Sequence, residues 1–373
     1  MESSPKSCFC DEKKQKTLNN LLLESSSQGH IINVKKWIRA GAEIDTSDNG
    51  GDEEIVVDFD NLETCLAKYK AENRRVFTPL QSALSCQIGK KKAGLPTRSY
   101  YEVVEYLLKK GASPNSEVKA INNGKVVKYT PAFWAVMNDS SIGILKLLIK
   151  YGADLNFKNY VERDEGLLYH AIGRNFEIVE LLLKNGVDAK YANKINGSTP
   201  LHHAVKERDL RIAKLLMSYA YGADLNAINF DDQAPIHCAV RAKNLKMVKL
   251  LIEHGVDINS KPEKYYSPLQ IAVFNKDYEL VKFLLENGAN VNQRTDNEGD
   301  ISTTPLHLAC HAGHDNIAEI LMKYGADVDA LEDTEVMEKS TPLHYAALKG
   351  FHLIVRNLLK KGMHVYYNFS NFC

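Results

Sequence analysis

The sequence has no excess of charge of either sign, since its 373 residues include 47 Lys plus Arg and 47 Asp plus Glu. A balanced chain has no global field that would steer it toward nucleic acid or an anionic membrane, although local patches can still exist. It also has no apolar run near the ~18 residues that a membrane-spanning helix needs, and no apolar leader near its start. These absences predict a cytoplasmic or nuclear protein whose partners are neither nucleic acid nor membrane.

Cysteine, proline and glycine are all too sparse to define the architecture. The seven cysteines are odd in number and scattered, which excludes a disulfide framework and favours a reducing compartment. The 11 prolines and 22 glycines exclude a collagen-like or linker-dominated chain, and 44% hydrophobic residues exclude disorder as the dominant state. Because a single core stops growing near ~250 to 300 residues, a chain of 373 residues indicates several domains or a repeat array.

One short phrase recurs along the chain, and a second phrase follows each copy. The first begins as FTPLQSA at Phe77, YTPAFWA at Tyr129, STPLHHA at Ser198, QAPIHCA at Gln233, YSPLQIA at Tyr266, TTPLHLA at Thr303 and STPLHYA at Ser340. The second resembles KYGADLN, and its shortest spacing, from Gly222 to Gly255, is 33 residues. With two degenerate copies, near Leu21 and Gly166, the pattern predicts nine units.

The residues of one unit specify a helix, a tight turn and a second helix. The Thr304 hydroxyl can cap a helix on which Pro305 takes the first position, where its missing N–H costs nothing. Apolar residues then recur at helical spacing on both sides of Gly313-His314 until Gly325 ends the second helix. The polar segment after this glycine, here called the finger, joins one pair to the next. Since no pair can bury its apolar stripe alone, stacking must supply the core.

These phrases, TPLHxA, the central G-H and the terminal G-A-D-V-N, resemble the ankyrin repeat. The resemblance implies an all-α solenoid of helix–turn–helix units with β-hairpin fingers. It also implies a binding scaffold that holds protein partners on its finger tips and on the concave surface formed by the first helices. We expect a flexible N-terminus over residues 1–16, the repeat domain over 17–366 and a tail over 367–373.

Three insertions interrupt the N-terminal repeats, at about 46–76, 88–99 and 116–128. The first is acidic and has the spacing of an additional short helix, and the second predicts a surface loop with Lys90, Lys91, Lys92 and Arg98. The third predicts a hairpin with Asn-Gly at its tip. Two interpretations stay open: neutral surface insertions, which cost little free energy, or part of a partner site.

The two ends of the array differ. Glu24 to Gln28 replace the apolar half of the first helix, which is typical of a terminal cap facing solvent. The last unit has an ordinary internal sequence and is expected to expose an apolar face. Either the tail, with Tyr366, Tyr367, Phe369 and Phe372, folds over this face, or the face docks on something else. We therefore expect a monomer or a weak dimer formed through the C-terminal repeat.

The sequence contains no catalytic or cofactor motif. His202, His237, His307 and His344 occupy one repeated position, and the resemblance implies that they make structural hydrogen bonds. The segment with His307, Cys310, His311 and His314 has half of a zinc spacing, but His307 and His314 are themselves repeat positions. We expect no catalytic, cofactor-binding or metal-binding residue, and no intrinsic enzyme. An enzyme is one of three hypotheses, beside a scaffold and an adaptor, and it would need a site hidden in the insertions.

Candidate binding residues are those that the repeat leaves free, before the T-P and at the end of the first helix. Aromatic and arginine residues there are the strongest candidates because such residues usually dominate interface energy. The predicted partner-binding residues are Phe77, Tyr129, Arg174, Lys206, Arg241, Tyr265, Tyr266, Phe274 and His311. Arg174, Lys206 and Arg241 form a mildly basic stripe, which favours an acidic or phosphorylated segment.

The sequence therefore predicts a non-enzymatic scaffold for protein partners. The alternative is an adaptor, or a host-directed effector from a symbiont, virus or parasite, that recruits a target protein to an enzyme such as a ubiquitin ligase. Sparse arginine and abundant tyrosine suggest an AT-rich coding sequence, which weakly favours the effector alternative.

Overall fold

The computed structural model describes residues 5–45, 77–84, 98–122, 125–137, 142–156, 166–218, 221–260, 266–295, 303–332 and 340–362. The chain divides into two compact units, Met1–Ile195 and Asn196–Cys373. Both consist of successive pairs of short antiparallel helices, and each is described by itself.

The first unit combines helices with one two-stranded sheet. Residues 79–84 are also helical and precede α3. The labelled elements are α1 (Pro5–Ser27), α2 (Ile31–Arg39), α3 (Arg98–Lys109), β1 (Val118–Asn122), β2 (Lys125–Tyr129), α4 (Pro131–Met137), α5 (Ile142–Lys150), α6 (Leu167–Ala171) and α7 (Phe176–Lys184).

The antiparallel pair β1–β2 confirms the hairpin predicted from the third insertion. Val118 pairs with Tyr129 and Asn122 with Lys125, so that Asn-Gly lies between the strands as expected. The predicted additional helix in the first insertion and the lysines of the second lie outside the described residues. Arg98, which we expected on a surface loop, is the first residue of α3.

The N-terminus differs from the expectation of a flexible segment over 1–16, because α1 already begins at Pro5. Asn19 accepts a hydrogen bond from the backbone N–H of Glu43 at 3.0 Å, and Gln15 donates to the carbonyl of Gly41 at 2.8 Å. These contacts tie α1 to the first finger.

In later repeats, an asparagine from the preceding finger makes the same two bonds. Asn292, for example, accepts from the N–H of Asp327 at 2.8 Å and donates to the carbonyl of Gly325 at 3.1 Å. Asn115 and Asn259 bind the following finger in the same manner. In α1, Gln15 and Asn19 together thus make the two bonds to the first finger that a single asparagine makes in later repeats.

The second unit contains five helix pairs within its described residues. Successive first helices pack side by side, and so do most of the second helices. The pairs are α8 (Pro200–Lys206) with α9 (Leu210–Met217), α10 (Pro235–Arg241) with α11 (Leu245–Glu253), α12 (Pro268–Phe274) with α13 (Tyr278–Glu286), α14 (Pro305–Ala312) with α15 (Asp315–Lys323), and α16 (Pro342–Leu348) with α17 (His352–Lys360).

The helix boundaries follow the predicted signals. Thr304 caps α14 by accepting from the N–H of His307 at 3.4 Å, and Pro305 is its first residue. Gly325 follows α15 with a φ of +87°, a left-handed conformation that favours glycine. Leu306 and Leu321 are fully buried between the helices. The local sequence thus sets each pair, and stacking buries the stripes.

The last repeat leaves its distal face uncovered within the described residues. In α15, Ile320 and Met322 are buried, whereas the exposed Leu359 occupies the position equivalent to Met322 in α17. Leu348 and Leu353 are also exposed, but so are the equivalent positions of internal repeats, at Phe274 and Asn316. The tail over 367–373 lies outside the described residues, so its docking and the weak dimer remain predictions.

Candidate functional site

The recurring histidines connect neighbouring repeats. In His202, Nδ1 accepts from the N–H of Thr199 at 3.3 Å, and Nε2 lies 2.8 Å from the carbonyl oxygen of Gln233. His307 makes the same contacts with Thr304 and, at 3.2 Å, with Ser340. Because a carbonyl oxygen can only accept, Nε2 carries the proton and the ring is neutral. These histidines are structural, as the resemblance implied.

Burial holds these rings in the neutral form. It lowers the pKa of His237 to about 4, against the hydrogen bond to the carbonyl of Ser260, which raises it. Burial likewise lowers the pKa of His307 to about 4 and lowers the pKa of His202. In each ring Nδ1 accepts a hydrogen bond from a backbone N–H, so a proton on Nδ1 would break this bond and place two N–H groups against each other.

Glutamine replaces histidine at this position in two repeats with the same bonding. Gln270 accepts from the N–H of Ser267 at 2.9 Å and donates to the carbonyl of Thr303 at 3.0 Å. Gln81 accepts from Thr78 and donates to the carbonyl of Ser116. The position therefore requires one acceptor and one donor and does not require a titratable group.

The histidine-rich segment of α14 is divided between the core and the surface. His307 and Cys310 are buried, and burial raises the pKa of the Cys310 thiol to about 12, which makes a thiolate ligand costly. His311 is exposed. Among the described residues, no group of three or more His, Cys, Asp and Glu side chains is arranged to hold a metal ion.

Four of the predicted binding residues form part of one exposed row in the second unit. Each lies at or next to the C-terminal end of a first helix, and these helices pack successively against one another. We call it the first-helix row; it comprises Lys206, Arg241, Phe274, His311 and Leu348, and all five are exposed.

An aromatic pair lies at the centre of the first-helix row. Tyr266 stacks on Phe274 with ring centroids 6.3 Å apart and planes 17° apart. Phe274 is 67% exposed and Tyr266 is 37% exposed, so that both rings present apolar area to solvent. Tyr265, the third predicted aromatic residue of this cluster, lies outside the described residues. The pair is a preformed aromatic surface.

His311 is positioned by a buried carboxylate in the neighbouring finger. Its ring meets the edge of Tyr345 at a centroid distance of 5.4 Å, and the hydroxyl of Tyr345 donates to Glu332. Glu332 is 2% exposed, and burial raises the pKa of its carboxyl against the lowering effect of the Tyr345 hydrogen bond. These contacts hold Tyr345 and, through it, His311 in place.

Two predicted contact residues are buried, which corrects the expectation that their side chains are free. Phe77 is 6% exposed and Tyr129 is 5% exposed. Both pack around Trp134, with centroid distances of 6.0 Å and 5.9 Å, and Tyr129 also meets Phe133. This repeat reads PAFWA where others read PLHxA, and its large aromatic residues draw both rings into the core.

Arg174 is exposed as predicted, but it is also engaged within the first unit. Its Nη1 donates to the carbonyl of Met137 at 3.2 Å. One face of the guanidinium is therefore a tie between repeats, and its remaining donors are available to other groups. The continuity of the basic stripe from Arg174 to Lys206 stays a prediction.

Comparison with known families agrees with the repeat geometry. The family model described as ankyrin repeats (3 copies) matches residues 132–229, 167–262, 221–295 and 269–368, which together span more than half of the chain. The protein belongs to the ankyrin-repeat family. The overlapping matches do not count the individual ankyrin repeats, so the predicted number of nine remains a prediction. A search of curated proteins finds no match.

Among solved structures, the ankyrin array is similar to the ankyrin repeat domain of Bcl-3, described as a unique member of the IkappaB protein family. The two share 27% sequence identity with a TM-score of 0.54, over 62% of this chain and 98% of that chain. The array is thus an ankyrin fold, a protein-interaction module for which no catalytic family is indicated. No helix in the described part of the chain is both long and apolar enough to cross a membrane.

Two features of the ankyrin surface were missed from the sequence. Phe230, in a finger, is 68% exposed, and its ring covers the position where a Cβ on Gly197 would lie. Arg208, Lys243 and Lys276 are exposed and occupy the turns between the helices of three successive ankyrin repeats. Aligning the repeats would have drawn attention to these three cations, because the next two repeats have a glycine, Gly313 or Gly350, at the same position.

Proposed function

We propose that the protein is a non-enzymatic scaffold that binds a partner protein through the first-helix row and the neighbouring fingers of its second unit. The observation that carries the proposal is the stacked and exposed pair of Tyr266 and Phe274. Aromatic residues of this kind provide large contact area at low entropic cost and are enriched in interface hot spots.

The surroundings of this pair support the proposal. Arg241 precedes the pair in the first-helix row, and His311 follows it. The exposed Phe230 adds an apolar contact in a finger. Each of these side chains is presented by a short helix or a hydrogen-bonded finger, so little ordering entropy is lost on binding. A partner can therefore contact aromatic, cationic and apolar groups on one rigid array.

The test is affinity purification from cytosol with the intact chain and with a variant carrying Tyr266→Ala, Phe274→Ala and Arg241→Ala. The matched control carries Tyr278→Ala, Tyr324→Ala and Arg356→Ala, which likewise remove two exposed aromatic residues and one exposed arginine, but from the second helices and their ends. We expect the control to retain a specific partner and the site variant to lose it, at unchanged helical circular dichroism. A site variant that captures the same partner equally well would exclude this surface.

The adaptor alternative requires a second binding surface besides the first-helix row. The exposed leucines on the second helix of the last repeat, Leu353 and Leu359, are the candidate for it. The same purification distinguishes the two functions. If the protein is an adaptor, the site variant still co-purifies subunits of a ubiquitin ligase or another enzyme, because their binding surface is unchanged. If it is a simple scaffold, no such enzyme co-purifies. Localisation in the cytoplasm or the nucleus remains part of this proposal.

A further inference from the structure

The turns between paired helices carry an unusual combination of charge and backbone conformation. Arg208, Lys243 and Lys276 have φ angles of +59°, +52° and +58°. A side chain disfavours this left-handed region because its Cβ approaches the following carbonyl oxygen. Among the described residues, one other non-glycine residue, Asp232 in a finger, has a positive φ. Three successive repeats therefore hold a cation in a strained conformation.

Glycine is the unstrained choice at this position, and the same array uses it elsewhere. Gly313 and Gly350 occupy the equivalent turns of the next two repeats with φ angles of +70° and +75°. At Arg208 the side chain also donates to the carbonyl of Ala242 at 3.1 Å, which offsets part of the strain. At Lys243 and Lys276 glycine would remove the strain. Strain of this kind is often found where a side chain serves a function. We call Arg208, Lys243 and Lys276 the turn cations.

Two cations of the first-helix row lie beside the turn cations. Lys206 and Arg241 precede Arg208 and Lys243 by two residues in their turns. Burial raises the pKa of the Cys238 thiol to about 11; Arg241 lowers it, the exposed Asp231 of the finger raises it, and Lys206 has a smaller lowering effect. The turns of these two repeats adjoin, because the guanidinium of Arg208 donates to the carbonyl of Ala242 at 3.1 Å.

Few carboxylates oppose these five cations in the same turns. Glu207 is exposed. Asp209 and Asp277 are half-buried N-caps that accept backbone N–H groups, from Ile212 at 3.0 Å and from Leu280 at 3.1 Å. The exposed charge of these three turns is consequently positive, in a chain whose formal net charge is +0. The next two repeats have Gly313 and Gly350 in place of the turn cations, and Lys349 is an exposed cation beside Gly350.

We infer that the turn cations, with Lys206 and Arg241, bind an acidic segment of a protein partner in extended conformation. Neighbouring helices pack about 8 to 10 Å apart. An extended chain in the polyproline II conformation advances about 3.1 Å per residue with three residues per turn, so that every third side chain lies on the same face. Every third residue of the segment therefore meets the next turn cation, so that the preferred pattern has Asp or Glu at positions 1, 4 and 7. The aromatic pair of Tyr266 and Phe274 lies at one end of this path and receives an apolar residue of the partner.

This inference rests on the proposed scaffold function and specifies the chemistry of its partner. It also places the apolar residue of the bound segment at one end of its acidic residues, because Tyr266 and Phe274 lie on the last of the three repeats that carry the turn cations. An acidic peptide matches the charge, whereas a long uniform polyanion would extend over repeats that carry glycine at the turn.

The test measures fluorescence anisotropy of a labelled nine-residue peptide with Glu at positions 1, 4 and 7, compared with its Gln counterpart. The site variant carries Lys243→Gly and Lys276→Gly; Arg208 is retained because it also donates to the carbonyl of Ala242 at 3.1 Å. The control carries Lys214→Gln and Lys246→Gln, which remove the same charge from exposed positions on second helices. Each variant is also followed by thermal unfolding.

We expect the Glu peptide to bind at least about tenfold more tightly than the Gln peptide and to weaken as salt rises, because exposed charges are screened. The site variant should bind about tenfold more weakly than the intact protein while melting at a higher temperature, and the control should bind like the intact protein. Loss of binding with increased stability distinguishes a recognition role from a structural one.

Equal binding by the site variant, or equal loss in the control, would overturn the inference. It would also be overturned if an oligouridylate of the same charge bound as tightly and depended on the same lysines. Since the peptide measurement needs no natural partner, its failure is distinguishable from failure of the proposed function, which the cytosolic purification tests separately.

Discussion

The Nε2 atom of His237 lies 3.0 Å from the carbonyl oxygen of Ser260, and its Nδ1 accepts from the N–H of Ala234. One neutral ring thereby joins a helix start to a finger. The same arrangement recurs at His202 and His307, so part of the cohesion between repeats depends on imidazoles that must stay unprotonated.

The stability of the array should therefore fall as the solution is acidified. The unfolded pKa of histidine is about 6.5, and burial lowers the folded pKa of His237 and His307 to about 4. The unfolded chain binds more protons between these values, so stability is complete above pH 6.5 and is lost as the pH falls toward 4. At pH 5 the loss is on the order of 2 kcal/mol for each histidine.

Thermal melts followed by circular dichroism at pH 7 and pH 5 measure this effect, and the sequence suggests its control. His237→Gln with His307→Gln should fold with the bonding seen at Gln270, since glutamine offers one acceptor and one donor. The double variant should lose much less stability between the two pH values than the intact protein. An equal loss in both proteins would assign the pH dependence to other groups.

Breaking one finger contact should weaken the array locally. Asn292→Ala removes an acceptor from the N–H of Asp327 and a donor to the carbonyl of Gly325. Water can replace part of both bonds because the finger is exposed, so we expect a loss of about 1 kcal/mol in urea unfolding. The amide of Asp327 should exchange its hydrogen faster. Unchanged exchange at this amide would show that the contact does not form in solution.

The helix α1 should protect the N-terminal end of the array. Gln15→Ala with Asn19→Ala removes the bonds to Gly41 and Glu43, and hydrogen exchange in α2 should accelerate with about 1 kcal/mol lost. Lys14→Ala, on the exposed side of the same helix, is the matched control. If residues up to 16 were merely a flexible leader, the first two substitutions would leave exchange in α2 unaltered.

Two turn glycines should respond differently to the same substitution. Gly313 and Gly350 both have positive φ, but a Cβ on Gly313 would lie 2.5 Å from the ring of Phe351, whereas a Cβ on Gly350 meets nothing within 4 Å. Gly350→Ala should cost about 1 kcal/mol from backbone strain alone. Gly313→Ala should cost about 1 kcal/mol more because the ring must move. Chemical denaturation of both variants measures the difference in the free energy of unfolding. Equal losses would mean that the ring of Phe351 moves aside at no measurable cost.

Much of the fold could be predicted from the sequence because its signals are local and repeated. Thr304 and Pro305 start a helix, Gly325 ends one, and Asn-Gly marks the hairpin between β1 and β2. None of these depends on distant contacts. The expectation that Glu24 to Gln28 face solvent was wrong for Ser25, Ser26 and Ser27, which are buried. The contacts of α1 with Glu43 and Gly41 were not predicted, because helical periodicity does not reveal contacts with a finger.

The candidate site was only partly predictable, since exposure is decided by neighbours. Repeat position alone placed Phe77 and Tyr129 with Phe274, yet the first two are buried around Trp134 and the third is open to solvent. The turn cations escaped notice because charge in a polar turn is ordinary. Only their positive φ angles showed that the positions are strained.

The sequence by itself determined the repeat and its helix boundaries, because capping, apolar periodicity and glycine conformation act over a few residues. The role of the histidines was implied by the resemblance to the ankyrin repeat, since each ring contacts the next repeat. The tertiary structure decided which side chains remain at the surface. It buried Phe77 and Tyr129, stacked Tyr266 on Phe274, and placed three cations in left-handed turns. These outcomes depend on the packing of one repeat against the next, which no single repeat encodes.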